Sequence, residues 1–306
     1  MSNASLVRGQ RTYDRLDLFA MALLTVLCAC WGLNQVAIKV VNSGISPTFQ
    51  AFIRSAGGTL MVFAWCQARG IKLFERDGTL VPGIICGALF AAEFIFLNGA
   101  LVHTTAARGV VILYLMPFVV AVGAHFLIPN DRLSVAKIIG LIAAFCGVLL
   151  VFGDKFSRAG GDALLGDGMM LLAAVFWGST TLVIKTTALA RARAEKTLIL
   201  QLAVSAVILF ASSVLQGEQG IFAPTPIVWS ALAYQTLFVV PVTYLAWFWL
   251  MTQYPASQLS AFSFLTPLFG VLLGGLLLNE PVTPLLLLSL GFVAAGIYLV
   301  NRPRKV

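Results

Sequence analysis

Charge is scarce along this 306-residue chain: only 10% of residues are Asp, Glu, Lys or Arg, against 59% hydrophobic, and there are just two histidines, His103 and His125. So little polar surface cannot coat a water-soluble globule of this size, and lipid is the solvent that fits a mean hydropathy of +0.94. Metal-binding patterns are missing too. The five cysteines, Cys28, Cys30, Cys66, Cys86 and Cys146, lie inside apolar runs with no CxxC spacing and no histidine at zinc-ligand intervals. They read as small buried hydrophobes, and the two histidines as polar residues near opposite span ends. Neither a metal nor a cofactor is expected.

Phosphate-binding sequence is equally absent. The glycine-containing stretch "GDKFSRAGGDALLGD" from Gly153 lacks the GxxxxGK[ST] spacing and follows no strand, so it reads as a flexible link and ATP is not the direct energy source. A catalytic cluster of acids and histidines, or a Ser–His pair, is not visible either, which argues against a membrane-embedded enzyme. The net charge of +8 comes from short loop clusters and not from one basic face interleaved with aromatics, so nucleic acid is not an expected partner.

Long apolar runs are what the chain has in abundance. A hydrocarbon layer of about 30 Å needs some twenty residues of helix, and runs of that length predict ten spans, at 17–41, 46–68, 80–101, 105–128, 132–152, 166–188, 197–215, 226–251, 255–278 and 284–300. The first is too long for a signal-peptide core and lacks a clean A-x-A site, so it reads as a retained span. With the N-terminus inside, Arg8, Arg11, Arg15, Arg69, Lys72, Arg76, Arg132, Lys137, Arg191, Arg193, Lys196, Arg302, Arg304 and Lys305 all fall on the inner side, 14 of the 20 basic residues. Outer loops hold only Lys155 and Arg158. The positive-inside rule then gives cytoplasmic termini.

The spans also repeat. "WGLNQVAIK" from Trp31 returns as "WGSTTLVIK" from Trp177, 146 residues on; "RGVVILYLMPFVVAVGAHFL" from Arg108 aligns with "QLSAFSFLTPLFGVLLGGLL" from Gln258 at 150 through Pro117 and Pro267; "GVLLV" from Gly147 matches "GIYLV" from Gly296 at 149. Five spans per repeat is an odd number, so the second copy enters the membrane in the opposite direction. That construction is typical of secondary transporters with a substrate site near the midplane. The expected fold is therefore an all-α membrane protein of ten transmembrane helices, two inverted-topology five-helix repeats around a central cavity. Its parts are an N-terminal segment 1–16, a first repeat 17–152, a linker 153–165, a second repeat 166–300 and a tail 301–306.

The Trp-Gly motif with a lysine eight residues after each tryptophan, Arg54 in the second span, and "LTPLFGVLLGGLLLNEPVT" ending the ninth resemble the EamA-type branch of the drug/metabolite transporter superfamily over nearly the whole chain. Within that branch the chain looks closest to the YddG-type exporters of aromatic and other amino acids. The resemblance implies an inner-membrane exporter with a ten-helix inverted repeat. Two departures stand out: Glu280 follows the ninth span where the first half has Asn130 and Asp131, and Arg54 aligns with Gln201.

Helical spacing puts Trp31, Gln35 and Lys39 on one stripe, and Trp177, Thr181 and Lys185 on its counterpart. Trp31, Asn34, Trp177 and Thr181 either wall a cavity or pack helices, and Lys39 and Lys185 either gate it, hold a substrate carboxylate, or reach headgroups. Glu93 is the only acid well inside a span; it is paired with Arg54 or Arg108, protonated, or exchanging a proton or contacting a substrate amine. Pro117 and Pro267 each remove a helix hydrogen bond, making a static kink or a hinge. Tyr114, Phe118, Tyr244, Trp247, Phe262 and Phe264 offer aromatic surface for an aromatic solute or an ammonium group, or simply pack. Gly270 and Gly274 form GxxxG, which serves close packing within the chain or a homodimer. These features predict export of small amphipathic metabolites, neutral or aromatic amino acids first, by alternating access; a multidrug exporter of cationic or aromatic compounds is the alternative. The expected partners are a small-molecule substrate and the lipid bilayer.

Overall fold

In the computed structural model, which describes residues 13–73, 75, 77–129, 131–156, 163–278 and 284–302, the chain is helical throughout. The first half comprises α1 (Leu18–Val41), α2 (Pro47–Ala68), α3 (Leu80–His103), α4 (Ala106–Leu113), α5 (Met116–Leu127) and α6 (Val135–Phe156). The second comprises α7 (Ala163–Thr186), α8 (Ala194–Leu215), α9 (Pro226–Ala233), a π-helix at Tyr234–Thr243, α10 (Tyr244–Gln253), α11 (Ala256–Phe262), α12 (Leu265–Leu278) and α13 (Leu285–Val300). No strand occurs among the described residues, only an isolated bridge between Ile45 and Ile221. Asn130, Arg158 and Glu280, and the basic Arg8, Arg11, Arg76, Arg304 and Lys305, lie outside the described residues.

Local chemistry places the helix starts. Asp17 accepts from Ala20 N at 2.8 Å before α1, and Thr105 and Thr225 accept from Arg108 N and Val228 N before α4 and α9. Each satisfies an amide that the first turn leaves orphaned. Pro47 and Pro226 open α2 and α9, where the missing N–H costs nothing.

Eight segments are long and apolar enough to cross a membrane, and the protein is an all-helical membrane protein. The ten predicted spans differ from these eight at two places. α2 has the length, 22 residues, but carries Gln50, Arg54 and Ser55, all buried against neighbouring helices. α13 is strongly apolar but has only 16 residues. The predicted linker is also shorter than 153–165: α6 runs on to Phe156 and α7 begins at Ala163.

The fourth and ninth predicted spans are each broken. α4 stops at Leu113 and α11 at Phe262, and the breaks fall just before Pro117 and Pro267. A proline ring excludes the carbonyl four residues earlier, here Leu113 and Ser263. The backbone crosses both breaks on tighter three-residue bonds, Leu115 N to Ile112 O at 3.0 Å and Thr266 N to Ser263 O at 2.9 Å. Tyr114 and Phe264 occupy equivalent places in the two breaks.

Helix contacts come in matched sets. α3 packs on α7 as α1 packs on α9 and the π-helix; α5 packs on α7 as α12 packs on α1; α3 meets α8 as α2 meets the π-helix. α2–α8 and α6–α13 match themselves. Glycines make the closest of these contacts. A Cβ on Gly32 would lie 2.6 Å from Phe269 Cβ, and one on Gly178 2.7 Å from Val119 Cγ1. One on Gly147 would meet Ser289 O at 2.8 Å, and one on Gly296 would meet Gly140 O at 2.4 Å.

Polar contacts sort the connecting segments into two ends. At the first, Tyr13 N donates to Gln253 O (2.9 Å), Leu16 N to Gln258 Oε1 (3.1 Å), and Lys196 pairs with Asp77 (2.7 Å). At the second, Ser46 N donates to Gly220 O (2.8 Å), Thr48 and Phe49 amides donate to Glu218 (3.0 and 2.8 Å), and Arg108 pairs with Asp167.

Candidate functional site: a central cavity open at one end

A cavity of about 490 Å³ lies between α1, α2, α3, α4, α7, α8, α10 and α12, within the size range of small-molecule sites. Its lining runs from Trp31 and Trp177 to the exposed Lys39, Pro47, Leu101 and Ala106, so it opens at the second end.

The first end is latched. Lys185 donates to the carbonyls of Met251 (2.7 Å) and Tyr254 (2.8 Å), orphans of the α10 C-terminus. Asp131 accepts from Lys137 Nζ (2.7 Å), Ser257 N (3.0 Å) and the Ser257 hydroxyl. Burial works to raise the Asp131 carboxyl, but the Lys137 ammonium and the Ser257 donors outweigh it and hold the group below its ordinary value. At the same end Asp77, outside the spans, is pushed down to about 2 by its hydrogen bond from Lys196.

The cavity lining is chemically mixed. Part of it is aromatic: Trp31 meets Trp247 edge-on at 5.3 Å and Tyr244 at 6.4 Å, and Trp177 meets Tyr114 at 5.9 Å. Trp31 Nε1 is fixed by donation to Thr243 Oγ1 at 2.9 Å, at the end of the π-helix. Polar side chains enter from α2, α3 and α8, where Gln50, Arg54, Glu93 and Gln201 line the cavity beside Phe90 and Phe94. Arg54 is 3% exposed and Glu93 7%. Arg54 donates to Tyr244 OH at 3.2 Å and stacks its guanidinium over Phe94 at 5.0 Å. Among the described residues Arg54 Nε, Glu93 Oε2, Gln50 Oε1 and Gln201 Oε1 are buried without a hydrogen-bond partner.

Most of the residues singled out from sequence line this cavity: Trp31, Lys39, Glu93, Tyr114, Trp177, Thr181, Tyr244, Trp247 and Pro267. Five do not. Asn34 is buried and does not join the lining, although it stands one turn from Trp31 and Ile38, which do. Phe118 and Phe264 pack on each other at 6.3 Å and on Phe145, Pro117 is buried in its helix, and Lys185 is spent on the latch. Phe262 likewise joins the core. Arg108 binds Asp167 at the open end, and it is Arg54 that shares the cavity lining with Glu93. Gly270 faces Gln35 of α1, so that glycine surface is used within the chain.

Sequence reasoning did not name Arg54 as a cavity residue, and it missed Gln50 and the π-helix. An arginine inside an apolar span was the available signal for a site. For the π-helix it was Pro241, a proline with no counterpart in the first half.

A helical membrane protein whose deep, chemically mixed cavity opens at one end and is latched at the other has the build of a transporter. The chain belongs to the EamA-like transporter family, which it matches over residues 18–153 and 164–302. An uncharacterized transporter, YoaV of Bacillus subtilis, is 27% identical over 88% of this chain and 92% of its own length. A WAT1-related chloroplastic protein of Arabidopsis thaliana is 28% identical over 89% of this chain and 67% of its own. A crystal structure at 19% identity superposes with a TM-score of 0.79 over 92% of this chain and 98% of that one, which shows the shared fold. The protein is a multi-pass membrane transporter and not an enzyme.

Proposed function

We propose that the protein is a secondary transporter of the inner membrane that exports small amphipathic metabolites, neutral and aromatic amino acids foremost, by alternating access of the central cavity. The observation that carries this reading is the cavity itself, where a buried arginine, a buried glutamic acid and three tryptophans line one chamber. An amino acid has that distribution of charge and apolar surface. A cationic drug, the alternative cargo, meets Arg54 as well as Glu93.

Ten passes in two inverted repeats form part of the proposal. α2 and α13 supply the ninth and tenth passes: α2 is long enough, and its polar side chains turn into protein. The matched helix contacts support the repeat. Its inversion is supported by the ends: the segment before α1 bonds to Gln253 and Gln258, whereas Asp167 near the start of α7 bonds to Arg108 and Thr104 at the opposite end. Arg69, Lys72, Lys137, Arg191, Arg193 and Lys196 flank connections at the latched end, so the positive-inside rule puts that end in the cytoplasm. The structure then represents an outward-open state. Lys185 acts as the inner gate, and Lys39, its counterpart 146 residues earlier, as the outer one, with Pro117 and Pro267 as the hinges between states.

Purified protein in liposomes tests the function. Radiolabelled phenylalanine is expected to enter with a saturable rate that unlabelled neutral amino acids inhibit. Saturable movement of an organic cation that phenylalanine does not inhibit would overturn the substrate assignment.

A further inference from the structure

Arg54 and Glu93 are the buried charges of the cavity, and both lie in the first half of the chain. Their counterparts in the second half are neutral. Arg54 sits seven residues after the first residue of α2, and Gln201 seven after the first residue of α8. Glu93 sits ten residues before the last residue of α3, and Thr243 ten before the last residue of α10. One scaffold thus builds the same helix contacts twice, once around a charged pair and once around an amide and a hydroxyl.

Of the two neutral counterparts, Thr243 satisfies itself by accepting from Trp31 and donating to Val239 O, while Gln201 leaves its Oε1 unpartnered. Glu93 Oε2 and Arg54 Nε have no hydrogen-bond partner among the described residues either, although both residues are over nine-tenths buried, both line the cavity, and an open bond costs an ionisable group more than an amide. Buried ionic groups are retained against this desolvation where something else completes their bonding. The partner that completes both has to bring an acceptor for Arg54 and a donor for Glu93. It also has to be apolar elsewhere, since Trp31, Trp177 and Trp247 line the same cavity.

We infer that Arg54 and Glu93 are the specificity-determining pair of the cavity, Arg54 anchoring a substrate carboxylate and Glu93 a substrate ammonium, so that the site selects zwitterions over ions of either single charge. Bidentate geometry suits a guanidinium to a carboxylate. The pair is charge-balanced, so a zwitterion leaves no net buried charge, whereas an amine or an acid of the same size leaves one. This assignment rests on the amino-acid reading above and extends it to the side chains that enforce it.

Three probes of one shape separate the possibilities: phenylalanine, phenethylamine, which lacks the carboxylate, and 3-phenylpropanoate, which lacks the ammonium. In wild-type proteoliposomes phenylalanine is expected to bind at least about tenfold more tightly than either analogue, because a site built to hydrogen-bond a group rejects the ligand without it. Arg54→Gln should weaken phenylalanine by about tenfold while changing phenethylamine by less than about threefold. Glu93→Gln should give the mirror result with 3-phenylpropanoate. Equal competition by the three probes in wild type overturns the pairing without any variant, whatever the variants' folding. Equal losses for all three probes in both variants, at unchanged melting temperature, assign the charges to structure and also overturn it. If wild type moves none of the three but carries another class of solute, it is the amino-acid reading that fails.

Discussion

Asp131 shows how much of a gate rests on one side chain. Its carboxylate joins Lys137 of α6 to the N-terminal turn of α11, closing the end of the molecule opposite the cavity mouth. Because its folded-state pKa lies below the ordinary value, its contribution to stability is present in full above the ordinary carboxylate range and is lost as pH falls through the folded-state value. Asp131→Asn should therefore lower stability by about 2 kcal/mol at neutral pH. The gap between wild type and variant should close as pH drops below about 4. Thermal melting of detergent-solubilised protein across that range checks this, and a gap that persists undiminished at pH 3 would show that the charge is not what holds the latch.

The same scale explains the repeated Trp-Gly string. The tryptophan and the glycine do different jobs on neighbouring faces: Trp31 and Trp177 wall the cavity, while Gly32 and Gly178 let α1 and α7 lie against α12 and α5. The two alternatives the sequence left open are both realised, one by each residue of the pair.

At the scale of the helix, interruptions are placed by chemistry that is only partly local. Pro117 and Pro267 break their spans at the positions a missing N–H and a ring clash require, and sequence alone located both. The π-helix at Tyr234–Thr243 was legible only at Pro241. α9, the π-helix and α10 together span 28 residues where α3 has 24, and the added residues are taken up without a loop. There the side chain of Thr236 comes so near Gly57 that a Cβ on the glycine would lie 2.3 Å from it. A π-turn is stabilised by what packs on it, and Pro241, unmatched in the first half, was its trace in the sequence.

α6 and α13 show how closely a helix pair can be tuned. Their backbones approach at Gly140, Gly147 and Gly296, where any side chain would strike a carbonyl. Gly296→Val should cost about 1–3 kcal/mol through overpacking. Gly291→Ala in the same helix, with no atom within 4 Å of the added carbon, should leave melting unchanged or slightly raised. Equal melting of the two variants would mean that the close approach is not what holds α6 to α13.

Across the whole molecule, the proposed orientation predicts which surfaces water reaches and from which side. Asn42 lines the cavity mouth, whereas Lys72 is exposed at the latched end. In a background without the five native cysteines, Asn42→Cys should react with a membrane-impermeant maleimide applied to intact cells, and Lys72→Cys should not. Labelling of Lys72→Cys alone from outside would reverse the orientation; labelling of neither would mean that the outward-open state is not the resting one.

Sequence by itself determined that the chain lives in lipid, where nearly every long helix falls, that it repeats at about 150 residues, and that Trp31, Glu93 and Trp177 belong to its interior chemistry. It could do so because apolar run length, proline and buried charge act through local physics. Tertiary structure alone decided that Phe118 and Phe264 are core, that Lys185 caps α10, and that Arg54, Gln50 and Gln201 line one cavity with Glu93. Those outcomes depend on which helices meet and at what rotation, and in a chain apolar on nearly every face the sequence pattern carries almost no signal for rotation.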